Sequence, residues 1–201
     1  MYGYSPNIPW HPWGRPTPAQ CWTPAHVALN QQMRALWEQH IFWTRLTVNS
    51  IVGKLPDQAP TTARLLENAA DFGRAFAPYY GSVIAGQFAD LLRSHLTIAA
   101  ELVTALRDGK TEAAKDANRR WYQNAENIAA FLARINPYWS REQWRSMMFE
   151  HLRLLTEEVS TRIAGDYEAN VATNRRVEQQ ALMMADTMSE GIVRQFPMAF
   201  R

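Results

Sequence analysis

The chain has 201 residues, 47% of them hydrophobic, which predicts one domain with a sizeable core. Its 21 basic and 19 acidic residues are spread along the chain and give a formal net charge of +2, so no nucleic-acid partner is expected. No apolar run approaches the roughly 18 residues of a transmembrane helix, and no signal peptide is recognisable. The single cysteine, Cys21, excludes an internal disulfide and favours a cytoplasmic or otherwise intracellular location.

Residues 1–22 predict an extended arm rather than a helix or a central strand. Prolines occur at positions 6, 9, 12, 16 and 18 of this segment, and tryptophans and tyrosines lie between them. Aromatic side chains on such an arm can pack on their own domain or on a partner. Self-association through residues 1–22 and packing on the same chain are therefore both left open.

Residues 23–197 form a single domain with helical periodicity, in which neither a strand pattern nor an internal repeat is apparent. Thr23 and Pro24 predict the start of a helix that runs to about Val52, and a short helix over 61–73 is expected to act as a lid. After a break at Pro78, further helices are predicted over about 82–107, 111–135, 140–165 and 166–197. Short turns between long helices predict an all-α fold. We expect an up-down antiparallel four-helix bundle with a fifth C-terminal helix and the short lid helix.

Three histidines occupy positions where the helical pattern calls for an apolar residue. His40, His95 and His151 each lie on the apolar stripe of a different predicted helix, and Asn124 lies on the stripe of a fourth. Each of the four is about 12 to 15 residues from a predicted turn at one end of its helix. Because every helix rises by about 1.5 Å per residue, the four side chains are expected to meet at mid-bundle.

Three buried imidazoles need polar partners, since an unpaired buried polar group costs about 1–3 kcal/mol. One solution is a divalent metal ion bound by His40, His95 and His151, with zinc favoured and iron, nickel or copper as alternatives. Asn124 would then be a weak ligand or orient a metal-bound water. The other solution is an inert network that rigidifies the core, in which the histidines bond to each other and to Asn124, Thr44, Thr97 or a tryptophan indole. Four residues are expected to contact the bound group or wall its pocket: Asn124, Trp43, Trp121 and Tyr122.

Two functions follow from these alternatives. A three-histidine metal site lowers the pKa of a bound water, so a metal-dependent hydrolase or transferase is one interpretation. The alternative is a non-catalytic structural or interaction protein that assembles through its aromatic arm. The Glu-x-x-His pairs of di-iron bundles are absent, as is a glycine-rich phosphate loop. The sequence indicates no substrate, and whether the protein is an enzyme is left open.

Several segments resemble a family of small helical proteins from spore-forming bacteria. They are residues 36–45, His95 with its alanine-rich continuation, residues 121–125, residues 135–140, His151-Leu152, and residues 181–197. The resemblance covers about residues 30–197 and implies a helical, cytoplasmic or spore-associated protein without a defined biochemical role. For the structural alternative, it implies an association with the spore or the cell envelope. Members are often labelled acetylglutamate kinase. That label does not fit this chain, because an amino-acid kinase needs an α/β sandwich and glycine-rich phosphate loops.

Overall fold

The computed structural model of the chain describes residues 22–201, so the predicted arm lies almost wholly outside the described residues. Within this range the helices are α1 (Pro24–Gly53), α2 (Gln58–Arg107), α3 (Thr111–Ile135), α4 (Arg141–Ala164), α5 (Tyr167–Gln195) and a short 3-10 helix (Pro197–Phe200). No strand occurs among the described residues. None of their helices is long and apolar enough to cross a membrane. The all-α prediction is confirmed, whereas the four-helix arrangement is not.

Three of the helices begin at capping side chains, one of which is the Thr23 that the sequence predicts. The side chains of Thr23, Ser140 and Asp166 accept hydrogen bonds from backbone amides three residues further along the chain. These bonds satisfy amides at the first turn that have no partner within the helix. Pro24 occupies the first position of α1, where its missing N–H costs nothing.

Helix α2 reverses direction at Gly81, so its two halves form an antiparallel hairpin. Gly81 has φ 78° and ψ 164°, a backbone conformation that is open to glycine and to few other residues. The rings of Phe76 and Phe88 stack with centroids 4.4 Å apart, although twelve residues of straight helix would separate them by about 18 Å. A break within the predicted segment 77–81 is therefore confirmed, but it lies at Gly81, and Pro78 is inside the first arm. Residues 58–80 and 82–107 are separate arms of one hairpin.

The helices pack in a closed ring in which each contacts the next in sequence and α5 returns to contact α1. Residues 61–73, predicted as a lid, belong to the first arm of α2 and are part of the wall of the core. Leu65, Ala69 and Phe72 in this segment are at most 3% exposed. Residues 22–201 thus form six helical rods around the core, because the segment that the sequence suggested as an accessory lid contributes buried residues to that core.

The six rods can also be divided into three consecutive hairpins: α1 with the first arm of α2, the second arm of α2 with α3, and α4 with α5. The first helix of each of these three hairpins ends in the same way. Lys54, Gly109 and Gly165 follow α1, α2 and α4, and all three have positive φ values, of 52°, 67° and 75°. After each helix two backbone amides donate to carbonyls of the last turn, in the same pattern each time. Gly109 follows Lys54 by 55 residues and Gly165 follows Gly109 by 56. Residues 22–201 therefore form a structural repeat, although no repeat is apparent in the sequence.

Candidate metal centre

The first hairpin fixes His40 through an amide on the facing helix. Nδ1 of His40 lies 3.2 Å from the side-chain oxygen of Asn68, in the first arm of α2. The side-chain nitrogen of Asn68 donates to the backbone carbonyl of Leu36, 3.1 Å away and one turn before His40. A single asparagine therefore bridges the imidazole and the backbone of the helix that carries it.

The second hairpin repeats this arrangement at His95. Its Nδ1 lies 2.8 Å from the side-chain oxygen of Asn124 in α3. The side-chain nitrogen of Asn124 donates to the carbonyl of Leu91 at 3.1 Å. The predicted meeting of His95 and Asn124 is thus observed, as a direct hydrogen bond.

The third hairpin uses a glutamine for the same purpose. Nδ1 of His151 lies 3.0 Å from the side-chain oxygen of Gln180, whose nitrogen donates to the carbonyl of Met147 at 2.8 Å. The separation between histidine and amide residue is 28, 29 and 29 positions in the three hairpins. One structural device therefore occurs three times, once in each hairpin.

These hydrogen bonds determine which ring nitrogen carries the proton. Each amide nitrogen is committed to a backbone carbonyl, so the amide oxygen faces the ring, and an amide oxygen can only accept. Nδ1 of each histidine must therefore be the N–H donor. In the neutral imidazole the lone pair is then on Nε2, the nitrogen that binds a metal ion or accepts a hydrogen bond.

The three rings are held in the neutral state. Burial, aided by the neighbouring imidazoles, lowers the pKa of His40 and of His95 to about 3. Burial lowers the pKa of His151 to about 4. The amides act in the opposite direction, but they do not outweigh the cost of placing a charge in the core. At neutral pH the centre therefore holds three uncharged imidazoles.

The three histidines line one small cavity in the core. Its volume is about 20 Å³, which exceeds the roughly 10–15 Å³ that one water needs. The ring centroids of His40 and His151 are 5.7 Å apart. Nε2 of His151 is buried and has no hydrogen-bond partner among the residues that the structure describes. The cavity thus has space for a small group, and it contains a buried nitrogen lone pair with neither a hydrogen-bond donor nor a metal ion bound to it.

Over residues 22–201, no group of three or more His, Cys, Asp or Glu side chains is arranged so that it could hold a metal ion. The three imidazoles line the same cavity without converging on a common point at coordination distance. Their Nδ1 bonds resemble the outer contacts that orient metal-binding histidines. Chemically, the centre can accept hydrogen bonds at Nε2, or it can bind a cation if the rings turn inward.

Of the four side chains predicted to contact a bound group, only Trp121 lines the cavity. Trp43 lies beneath the guanidinium of Arg64, 5.3 Å from its ring centroid, and Tyr122 packs edge-on against Phe149. Both face the spaces between helices, because each is displaced from the apolar stripe that faces the cavity. Asn124 is absent from the lining as well, and it acts on His95 through Nδ1.

Sequence reasoning missed Asn68 and Gln180, which are as important to the centre as Asn124. A signal was available in the spacing. The separation of 29 residues between His95 and Asn124, applied to the other two histidines, leads to Gln180 and to the neighbour of Asn68.

Of the hydrogen-bonded network that was the alternative to a metal, the bond between His95 and Asn124 is present. The hydroxyl group of Thr97 donates instead to the backbone carbonyl of Arg93, and that of Thr44 has no partner among the described residues.

Comparison of the chain with protein-family models, with curated proteins and with solved structures gives no match. The relationship to the helical family of spore-forming bacteria therefore stays a proposal, and a function has to be argued from the centre itself.

Proposed function

We propose that His40, His95 and His151 bind one divalent metal ion through their Nε2 atoms. Zinc is the ion we favour, because three neutral imidazoles and an open position suit it, and iron, nickel and copper are the alternatives. The single observation that carries the proposal is the threefold amide device. It leaves the Nε2 lone pair of each ring available and the ring itself uncharged.

Binding requires a modest inward movement of the rings. Zinc–nitrogen bonds are about 2.0–2.1 Å long, so tetrahedral coordination places the Nε2 atoms roughly 3.3–3.4 Å from one another. Rotation about the side-chain bonds brings the rings closer, and the cavity they line provides the space. The amides of Asn68, Asn124 and Gln180 can follow, because each hydrogen bond tolerates small changes in distance and angle.

Three histidine ligands leave one coordination position open. A metal ion in such a site supplies Lewis acidity and lowers the pKa of a bound water, which becomes a nucleophile near neutral pH. A metal-dependent hydrolase or transferase is the activity that this chemistry favours. The protein's own contribution is to exclude bulk water from the centre and to orient the imidazoles.

The test is metal analysis of the purified chain, followed by titration of the chelator-treated protein with zinc. We expect one ion per chain and a loss of binding of at least a hundredfold in His40→Ala, His95→Ala and His151→Ala. His26→Ala is the matched control, because His26 stacks on Trp22, away from the cavity.

A folded protein that binds no divalent ion would overturn the proposal. It would favour the alternative of a structural or interaction protein. That alternative is tested by measuring the molecular mass in solution with and without residues 1–22.

A further inference from the structure

The wall of the central cavity carries three hydrogen-bond donors that have no acceptor among residues 22–201. They are the hydroxyl groups of Thr44 and Thr47 and the indole N–H of Trp121. Each of these residues is at most 6% exposed. An unsatisfied buried polar group is destabilising, and folded proteins contain few of them. Three beside one cavity therefore indicate an occupant that accepts hydrogen bonds.

The two hydroxyl groups behave differently from comparable threonines elsewhere in the helices. Thr104 and Thr156 are partly buried, and each donates to the carbonyl four residues earlier in its own helix, at 2.8 Å. That local bond is a common way to satisfy a threonine inside a helix. Thr44 and Thr47 donate to no described residue. Their hydroxyl groups therefore remain able to donate to a group inside the cavity.

The same wall also carries a hydrogen-bond acceptor. Nδ1–H of His151 donates to Gln180, so the lone pair of the ring is on Nε2. This Nε2 atom is buried and receives no hydrogen bond from any residue that the structure describes. The rings of His40 and His95 line the cavity too, and their lone pairs are on Nε2 for the same reason. The occupant must therefore donate hydrogen bonds as well as accept them.

The polar groups of the wall come from all three hairpins. Thr44 lies on α1, Trp121 on α3 and His151 on α4. The ring centroid of Trp121 is 5.3 Å from that of His95, and the ring centroid of His151 is 5.7 Å from that of His40. One occupant of the cavity thus has a donor or an acceptor of each hairpin beside it.

The size of the cavity and the mixture of donors and acceptors select the occupant. The volume of about 20 Å³ corresponds to about one water, which needs roughly 10–15 Å³. An anion would accept from Thr44 and Trp121 but would leave Nε2 of His151 without a donor. An apolar molecule would satisfy none of these groups. Water donates two hydrogen bonds and accepts two, and buried waters commonly make about three.

We infer that the cavity binds one water molecule, which joins the three hairpins by hydrogen bonds. Its oxygen accepts from the hydroxyl group of Thr44 and from the indole N–H of Trp121, and it donates to Nε2 of His151. The imidazole of His151 is then hydrogen-bonded at both nitrogens, to Gln180 and to the water. The inference concerns the metal-free chain and does not depend on the proposed metal site.

The experiment counts long-lived waters in the full chain, in the presence of a chelator, by oxygen-17 magnetic relaxation dispersion. This method detects waters that stay bound for longer than the protein takes to tumble. Thr44→Ile replaces the hydroxyl group by a larger apolar group that fills the cavity, so we expect one long-lived water fewer. Thr44→Val keeps the shape of the side chain but removes one hydrogen bond. It should shorten the residence time of the water about tenfold.

Two control variants separate the loss of this water from a general perturbation. Thr156→Ile makes the same change at a threonine outside the cavity and should leave the number of long-lived waters unchanged. Thr44→Ser retains the hydroxyl group and should retain the water.

A second measurement needs no substitution. The nitrogen-15 resonance of Nε2 of His151 moves upfield when its lone pair accepts a hydrogen bond, and we expect the shifted position in the metal-free chain. A resonance typical of an unbonded lone pair would overturn the inference. An equal number of long-lived waters in Thr44→Ile and in the unmodified protein would overturn it as well. Zinc titration decides the metal proposal separately, so the failure of one proposal leaves the other standing.

Discussion

The side chain of Asn124 holds His95 from one side and the backbone of its helix from the other. Its oxygen lies 2.8 Å from Nδ1 of His95, and its nitrogen donates to the carbonyl of Leu91 at 3.1 Å. The amide therefore fixes the ring in position, determines its tautomer and joins α3 to α2. The same three effects follow from Asn68 and from Gln180 in the other hairpins.

Replacing Asn124 by alanine is expected to lower both stability and metal affinity. The buried Nδ1–H of His95 loses its partner, and the carbonyl of Leu91 loses a donor additional to the one within its helix, so the free energy of unfolding should fall by about 1–3 kcal/mol. Zinc affinity should fall by about 10- to 100-fold, as for other residues that orient a ligand. Urea denaturation and competitive zinc titration measure the two effects.

The neighbouring Gln123→Ala provides the control. Gln123 is exposed and bonds only to the side chain of Asn127, at 3.3 Å, so its loss should change stability by less than about 0.5 kcal/mol. Equal effects of the two substitutions would contradict the role assigned to Asn124.

The metal-free protein should lose stability steeply on mild acidification. The histidines have an ordinary pKa of 6.5 when unfolded, but a pKa of about 3 to 4 in the fold. Between about pH 6.5 and pH 4 the histidines are therefore protonated in the unfolded chain but remain neutral in the folded chain. Stability is fully present above pH 6.5 and is lost as the pH falls towards 4. With all three sites contributing, the slope approaches about 4 kcal/mol per pH unit.

Urea denaturation between pH 7 and pH 5, in the presence of a chelator, measures this slope. Substitution of one histidine, as in His95→Leu, should reduce the slope by about a third, because one proton fewer is taken up on unfolding. An unchanged slope would mean that His95 is not held neutral by the fold.

Lys54 is expected to be a weak point of the repeat. It adopts φ 52° where the equivalent positions of the other hairpins have Gly109 and Gly165, and a side chain in this conformation costs about 1–2 kcal/mol. Lys54→Gly should therefore raise the free energy of unfolding by about 0.5–1 kcal/mol, after allowance for the greater freedom of glycine in the unfolded chain. Urea denaturation measures the change.

The reverse substitutions, Gly109→Ala and Gly165→Ala, should each lower stability by about 1 kcal/mol. An added Cβ would meet no atom within 4 Å at either glycine, so only backbone strain is being tested. Stabilisation by alanine at these positions would refute the equivalence of the three turns.

Counting residues from the turns was sufficient to predict that three histidines meet in the core, because helical rise is nearly independent of sequence. Apart from the helix predicted over 61–73, which spans 58–80, the helix bounds were predictable for a similar reason, since capping depends on one or two local residues. The position of Trp43 and Tyr122 was not, because a shift of one residue along a helix turns a side chain by about 100°. The prediction that residues 61–73 form a lid was wrong because apolar periodicity shows which face of a helix is buried but not which other helix packs against that face.

The repeat escaped detection because its units share little sequence. Met33, Phe88 and Trp144 occupy equivalent positions, seven residues before each histidine, and each is at most 1% exposed. Side chains of such different size can fill equivalent places when their neighbours compensate in volume. The apolar side chains can therefore differ between the three hairpins. The histidine and the amide side chain that bonds to its Nδ1 are restricted by hydrogen-bond geometry.

Because each hairpin supplies one imidazole, the three rings are spread along the chain from α1 to α4. During synthesis on the ribosome, α4 with His151 and then α5 with Gln180 emerge after the helices that carry His40 and His95. Under the proposed function, an ion could be captured by all three rings only after the polypeptide had been made through α4. Metal binding would then accompany the docking of the third hairpin. It would stabilise the completed ring of helices relative to partly folded intermediates.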